Sequence, residues 1–340
     1  MTRVLVVNAG STSLKLSVVG DDGSAVSVES LAGAPHDVDA VAHRVVHGGP
    51  RFSNPVVVDD EVAHALAEIA QIAPLHDPPA LGAIDDARRK LPEVPHVAVF
   101  DTAFHATLPA VASTYAVPRR WREEWGIRRY GFHGLSVQWA AEQVPVRRLV
   151  VCHLGGGCSV TAVLDGRSID TTMGFTPLEG VPMATRSGSF DPGALLHLLA
   201  TRRLTDSEAS HALEHDSGLR GLSDGTDRVE ELEASTLPAA RLALDLYTYR
   251  IAGAVASMTV ALDGIDALVF TAGVGENSAF VRERVCGLLR HLGLELDAVR
   301  NRRGGRDVDV QAPESSVRIA VIHAREDIVA ARAARSVLGI

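Results

Sequence analysis

Residues 4–20, VLVVNAGSTSLKLSVVG, run from an unbroken apolar stretch through small residues into alternation at Leu14, Leu16 and Val18. Period-two alternation after the turn describes a β-hairpin with a Gly-Ser-Thr-Ser tip rather than a helix. A related pattern recurs at 149–166, LVVCHLGGGCSVTAVLDG. Matching Ser13 to Ser159 also matches Gly20 to Gly166, and makes the second tip about two residues longer. Two glycine-tipped hairpins, each opening one half of a 340-residue chain, predict a duplicated α/β unit. The length agrees, since single cores stop growing at roughly 250–300 residues.

The rest of the chain alternates strands and helices, the pattern of helices covering a sheet. Strands are expected at 96–101 and 317–323, and helices at 62–72, 79–91 and 192–204. Residues 241–262 read as one long, largely buried helix. A third glycine turn, ALVFTAGVGENS (267–278), is followed by helical spacing over 279–293, so the expected order there is strand, turn, helix. The polar stretch 141–148 marks the best boundary, giving domains at 1–147 and 148–340, with the last helix able to pack back on the first.

Composition excludes several classes. The net charge of −9 gives no electrostatic footprint for nucleic acid or an anionic membrane. No apolar run approaches the ~18–20 residues of a membrane helix; the run from Ile251 ends before Asp263. The N-terminus enters a strand pattern at once, unlike a signal peptide. Cys152, Cys158 and Cys286 form no CxxC and fit inert thiols in a reducing compartment, so the chain reads as cytoplasmic. Only Lys15 and Lys90 are lysines among 33 basic residues, which makes a lysine beside a Gly-Ser turn conspicuous.

Tight glycine turns after strands present backbone N–H groups that can cradle phosphate oxygens. None of the three is a P-loop, and no complete dinucleotide fingerprint opens the chain, which disfavours a NAD-dependent oxidoreductase. One glycine turn alone is most simply a connection needing positive φ. Three in one chain, the first with Ser11, Ser13 and Lys15, favour a nucleotide held between domains. Other polar stretches mix His, Arg or Asp with Gly, Pro and aromatics: 42–52, 73–81, 100–109, 127–136 and 170–193. His43 and His47 lie four apart without the HExxH or Cys partners of a tight metal site. Together these segments supply cations for charge neutralisation and a few carboxylates, the equipment of phosphoryl transfer.

From Val4 to Ala330 the motifs fall in an order that resembles the acetate/propionate kinase family, within the actin–Hsp70–sugar kinase superfamily. VLVVNAGSTSLK resembles the first phosphate motif, HLGGG (153–157) the second and FTAGVGEN (270–277) the adenosine motif. HRVVHGG, APLHDPP, FDTAFH, RRYGFHG and GFTPLEG…TRSG are more specific to the acyl kinases. The resemblance implies a duplicated two-domain actin-like (ribonuclease H-like) ATPase fold with a nucleotide cleft between domains. It implies ATP as co-substrate, Mg²⁺ or Mn²⁺, acetate as phosphoryl acceptor, and a homodimer through the C-terminal domain, with helix 241–262 as a candidate contact or ordinary core.

Residue by residue, the resemblance implies that Arg44 and Arg186 bind the carboxylate and the moving phosphoryl group, as guanidinium forks suit both oxyanions. His133 is similar to the histidine stabilising that group, with His76 a supporting polar residue. Asp101 and Glu326 resemble the acids that organise the metal and the attacking acetate, with Asn8 at the metal–phosphate end. Val46, Leu75, Phe132 and Pro177 would form a small acyl pocket. Ser11, Ser13, Lys15, His153, Gly155 and Gly157 would hold phosphates, and Gly273, Gly275, Glu276 and Asn277 the adenosine. Asp227 and Arg228 fall where the family has a nucleotide-side acid and arginine, in a shortened region. The chain departs from the family pattern at Gly156 and Asp77, both Asn in the family, at Val137, which replaces a histidine, and at Arg325; the stretch between Gly20 and Val41 is also shorter. The expected activity is acetate kinase. A propionate or butyrate kinase, and a nucleotide-binding relative that has lost turnover, are the alternatives.

Overall fold

A single connectivity builds both halves of the chain. In the computed structural model, which describes residues 2–9, 14–69, 77–223 and 225–340, the first sheet holds β1 (Val4–Ala9), β2 (Leu14–Val19), β3 (Ala25–Val28), β4 (Ala40–Val45), β5 (Val56–Val57) and β6 (His96–Phe100). Their order is β3-β2-β1-β4-β6-β5. The second sheet holds β7 (Arg148–Leu154), β8 (Cys158–Leu164), β9 (Arg167–Thr171), β10 (Ala267–Thr271), β11 (Val308–Asp309) and β12 (Arg318–Val321), in the order β9-β8-β7-β10-β12-β11. In each sheet three antiparallel strands lead into a parallel ladder of three, and a two-residue antiparallel strand closes the edge. This is the duplicated actin-like α/β arrangement.

The register corrects one detail of the repeat. Val4 pairs with Ala40 and Asn8 with Arg44, as Leu149 pairs with Ala267 and His153 with Thr271. Asn8 is therefore equivalent to His153, and their antiparallel partners Lys15 and Ser159 correspond. Residues 10–13 separate the first two strands and Gly155–Gly157 the second pair, so the second tip is one residue shorter rather than two longer. The sequence match erred because Ser159 lies inside β8, whereas Ser13 precedes β2.

By spatial contact the chain forms two compact units: Met1–Ala106 with Phe132–Trp139 and Arg325–Ile340, and Thr107–Gly131 with Ala140–Ala324. Residues 107–131 group with the second sheet, away from the 147/148 division of the sequence. Thr107 Oγ1 donates to Ser168 O at 2.8 Å, and Arg129 Nη1 donates to the carbonyls of Thr171, Thr172 and Met173 at 2.8–3.0 Å.

In the first unit, strand alternation sorts side chains to two faces. Val4, Val6, Ala40, Ala42, Val97 and Val99 pack under Ile328, Val329, Ala331 and Ala334 of the last helix, Glu326–Leu338. Leu5, Val7 and Val41 face Ala80, Ala83 and Ala87 of the helix Asp77–Lys90. Small alanines on both sides let helix and sheet approach closely. The expected helix over 62–72 is observed as Asp60–Ile69 and that over 192–204 as Pro192–Ala200.

In the second unit, the long helix spans Pro238–Leu262, with proline in its first turn, and packs across β7, β8 and β9. It ends where Asp263 takes a left-handed conformation, φ 54°. The third glycine turn is not a loop: Ala272–Asn277 is itself a short helix, followed by a second over Ala279–Leu288. Its positive φ falls on Ala272, at 65°, not on a glycine. Gly275 lies close against the preceding strand instead, where a Cβ would make a tight contact of 3.3 Å with the Phe270 carbonyl carbon. No helix among the described residues is long and apolar enough to cross a membrane.

Candidate active site

Register aligns four polar residues across the first sheet. Lys15 on β2 pairs with Asn8 on β1, and Asn8 with Arg44 on β4. Arg44 pairs with Val99 on β6, and Asp101 follows two residues later, just past the strand end. All four continue the face covered by the last helix, whose first residue is Glu326. Asn8, Arg44 and Asp101 thus meet Glu326 at the carboxyl ends of adjacent parallel strands, where open α/β sheets bind their ligands.

Arg44 is held on every edge. Nε donates to Asp101 Oδ1 at 2.8 Å, Nη2 to Oδ2 at 2.5 Å, and Nη1 to Asn8 Oδ1 at 2.9 Å. Asn8 Nδ2 donates to Glu326 Oε2 at 3.2 Å, which lies 3.8 Å from Arg44 Nε. Burial disfavours the guanidinium charge, but the carboxylates of Asp101 and Glu326 outweigh it and raise the Arg44 pKa. Burial lifts the Asp101 carboxyl, the Arg44 fork draws it down, and Glu326 lifts it; the net direction is upward.

The GFHG segment is built onto this cluster. His133 has φ 60° and lends its backbone N–H to the Asp101 carboxylate. Gly134 N donates to Asp101 O at 2.9 Å, and a Cβ on Gly134 would stand 2.2 Å from that oxygen. His105 Nε2 bonds the Phe132 carbonyl at 2.9 Å, while His47 meets the buried Phe132 ring edge-on. Val137, four residues after His133, is fully buried and apolar. Val46 is half-buried.

In the second unit Arg186 forms an ion pair with Glu214, Nε to Oε2 at 2.9 Å. The same segment touches the HLGGG turn through Ala184 N to Gly156 O at 3.3 Å. None of Gly155, Gly156 and Gly157 has positive φ, and a Cβ on Gly156 would meet nothing within 4 Å. His153 is buried at the end of β7. Pro177 is buried in a segment braced by a network outside the predicted residues: Arg129 Nη2 donates to Glu179 at 2.9 Å, Tyr115 donates to the other Glu179 oxygen, and Phe175 N donates to the Tyr115 hydroxyl at 3.0 Å.

Glu276 turns inward within its unit. Oε2 bonds His323 Nδ1 at 2.7 Å and Oε1 accepts from Ala324 N at 3.0 Å, so the side chain fixes the residues just before Arg325 and Glu326. Asn277 Nδ2 donates back to Gly273 O, and Arg282, itself buried, donates to the carbonyls of Gly275 and Glu276. Asp227 accepts from Arg220 at 2.7 Å, whereas Arg228 is exposed beside Glu231. Ser11, Ser13, Leu75 and His76 lie outside the described residues.

Among the described residues no three His, Cys, Asp or Glu side chains converge into a metal cage. A magnesium-like ion does not need one: it keeps waters and substrate phosphates and takes one or two carboxylates. Glu326 offers one such carboxylate, with Lys15 in the same row, whereas Asn8 turns Nδ2 to Glu326 and Oδ1 to Arg44, so its amide would have to turn to add an oxygen beside the carboxylate. The thiols of Cys152, Cys158 and Cys286 are buried and unbonded to one another, and burial raises the pKa of each.

The sequence profile of the Acetokinase family matches residues 25–332. An acetate kinase of Trichormus variabilis is 42% identical over 96% of this chain and 86% of its own, and that of Gloeobacter violaceus 46% identical over 88% and 76%. Among solved structures, a propionate kinase from Francisella tularensis superposes with a TM-score of 0.90 at 32% identity, over 99% of this chain and all of the other. On a duplicated sheet topology, a polar row at the strand ends and these matches across nearly its whole length, the chain belongs to the Acetokinase family.

Proposed function

We propose that this chain catalyses reversible transfer of the γ-phosphoryl group of ATP to acetate, giving acetyl phosphate and ADP. The observation that carries the reading is the Lys15–Asn8–Arg44–Asp101 row ending at Glu326. Acetate is already an anion, so an oxygen lone pair can form the new O–P bond without a general base. The bond from phosphorus to the ADP oxygen breaks, and its electron pair leaves with ADP. The difficulty is anion meeting anion, which positioning and fixed positive charge relieve.

In this scheme Arg44, held rigid by Asp101, and Arg186 take the carboxylate and the moving phosphoryl group, and His133 stabilises the latter. Lys15, Ser11, Ser13, His153, Gly155 and Gly157 hold the phosphates. Gly273 and Gly275, in the helix oriented by Glu276 and Asn277, lie against the adenosine, with Asp227 and Arg228 on the nucleotide side. Glu326 and Asn8 would hold a divalent cation, magnesium first and manganese as the substitute, which neutralises phosphate charge when bound. Val46, Leu75, Phe132 and Pro177 wall the acyl group, with His76 in support. Such a pocket discriminates by size, at roughly 1–3 kcal/mol per methylene. The likeness to a propionate kinase supports propionate as the second substrate. We further propose a cytoplasmic homodimer, supported by Leu242, Tyr249 and Val260, exposed along one face of the long helix; light scattering reads its mass.

The test is hydroxylamine trapping of acyl phosphate with Mg-ATP and acetate, propionate or butyrate, beside Arg186→Ala. Turnover highest with acetate and lost in the variant supports the reading. A preference for a longer acid reassigns the substrate, and absence of turnover with ATP binding intact leaves a non-catalytic nucleotide-binding relative.

A further inference from the structure

We propose that Glu214 is a positioning residue for Arg186, aiming the guanidinium so that its Nη edge is presented to an oxyanion. The inference rests on the kinase reading for what that oxyanion is, a carboxylate or phosphoryl group, but stands on the second unit's own geometry. Glu214 is the penultimate residue of the helix Asp206–His215, which begins with a capping box between Thr205 and Glu208. The C-terminal end of that helix grips the Arg186 segment at three successive residues. Thr185 Oγ1 donates to Glu214 O at 2.7 Å, the Glu214 carboxylate meets Arg186 Nε at 2.9 Å, and Ser187 N donates to Leu213 O at 3.1 Å. Two of the carbonyls a helix leaves without partners at its C-terminus are thereby satisfied by the residues flanking Arg186.

Gly218 tightens the same clamp. Its Cβ would stand 2.2 Å from Met183 O and 2.7 Å from Arg186 O, and its own φ is 61°. The Arg186 backbone is therefore fixed from two sides. Its closest approach to the Glu214 carboxylate is at Nε, and the one described hydrogen bond of its Nη atoms is the weak one from Nη1 to the Met183 sulfur at 3.9 Å. Arg44 is the contrast, with Nε, Nη1 and Nη2 all engaged. A guanidinium held by Nε keeps its two parallel Nη donors for bidentate capture of an oxyanion. The buried Glu214 fixes the rotamer in advance, so less entropy is lost on binding. Without that carboxylate, nothing else described pairs with Arg186 Nε.

The test is a double-mutant cycle of Glu214→Ala and Arg186→Ala, read both in kcat/KM for acetate and in calorimetric binding of acetyl phosphate. Glu214→Ala is expected to lower kcat/KM by about 10–100-fold and to weaken acetyl phosphate binding. In the Arg186→Ala background the same change has an effect within about twofold. Glu214→Gln, which keeps an acceptor beside Nε, recovers most of the loss and serves in the cycle if the alanine variant fails to fold. An undiminished effect of the Glu214 change in the Arg186→Ala background, or no effect of it in the wild-type background, overturns the proposal. Wild-type protein without turnover instead fails the kinase reading, and the binding arm of the cycle still decides the role of Glu214.

Discussion

The two sheets share one strand order, yet the same register position carries different chemistry in each. In the first sheet it holds Asn8 beside Arg44, and in the second His153 beside Thr271. The two arginines expected at the chemistry differ in parallel. Arg44 lies on the central ladder and is gripped on all edges by Asp101 and Asn8, whereas Arg186 lies in a loop and is held by Glu214 through Nε. Duplication supplies a scaffold twice. Which copy carries fixed charge follows from the residues at the strand ends, not from the topology.

The largest expected difference lies in stability. Arg44→Ala strands the Asp101 carboxylate, 1% exposed, beside Glu326. Leaving a buried charge unpaired costs about 3–5 kcal/mol, visible as a shifted urea midpoint. Arg186→Ala leaves Glu214 without its partner, but that carboxylate is 10% exposed and so less completely buried than Asp101, and a smaller loss of about 1–3 kcal/mol is expected. Equal losses in the two variants would erase the distinction between a locked and an open arginine.

Glycines offer the next comparison. Gly134→Ala forces a methyl against Asp101 O and displaces the acid that fixes Arg44; a loss of about 2 kcal/mol or more and about tenfold or more in kcat is expected. Gly156→Asn places its side chain in open space and leaves stability within about 0.5 kcal/mol, so any change it makes in KM for ATP reports the nucleotide alone.

Acid dependence should fall mainly on the first unit. Burial lowers the pKa of His43 to about 3 and that of His105 to about 4. Below the ordinary histidine value near 6.5 the unfolded chain takes up protons that the folded chain refuses. Stability is therefore full above that value and is lost as pH falls from 6.5 towards 4. Each histidine contributes about 1–2 kcal/mol between pH 7 and 5. His43→Asn should flatten that slope in urea melts at the two pH values, and an unchanged slope would remove His43 as a cause.

Much of this was legible in the sequence. Alternation at Leu14, Leu16 and Val18 identified β2, the acyl-kinase motifs carried Arg44 and Asp101, and the C-terminal segment AREDI (324–328) carried Glu326. The GVGEN segment was misread because glycines usually announce turns; here Gly275 lies in a short helix close against Phe270, and the left-handed residue is Ala272. Glu214 was invisible because DSEASHALEH reads as an ordinary polar surface helix, and its significance arises only when Ser187 and Thr185 dock on its last turn. Arg129 was equally hidden, since binding three successive carbonyls depends on the backbone path of 171–173.

The central claim is that a carboxylate oxygen, steered by these arginines, attacks phosphorus. Phosphorus NMR of acetyl phosphate made from ATP and acetate labelled with ¹⁸O in both carboxylate oxygens tests it directly. The account predicts an isotope shift from one bridging ¹⁸O, with no product from Arg186→Ala. An unlabelled bridge, or no acetyl phosphate from the wild-type protein, would contradict it.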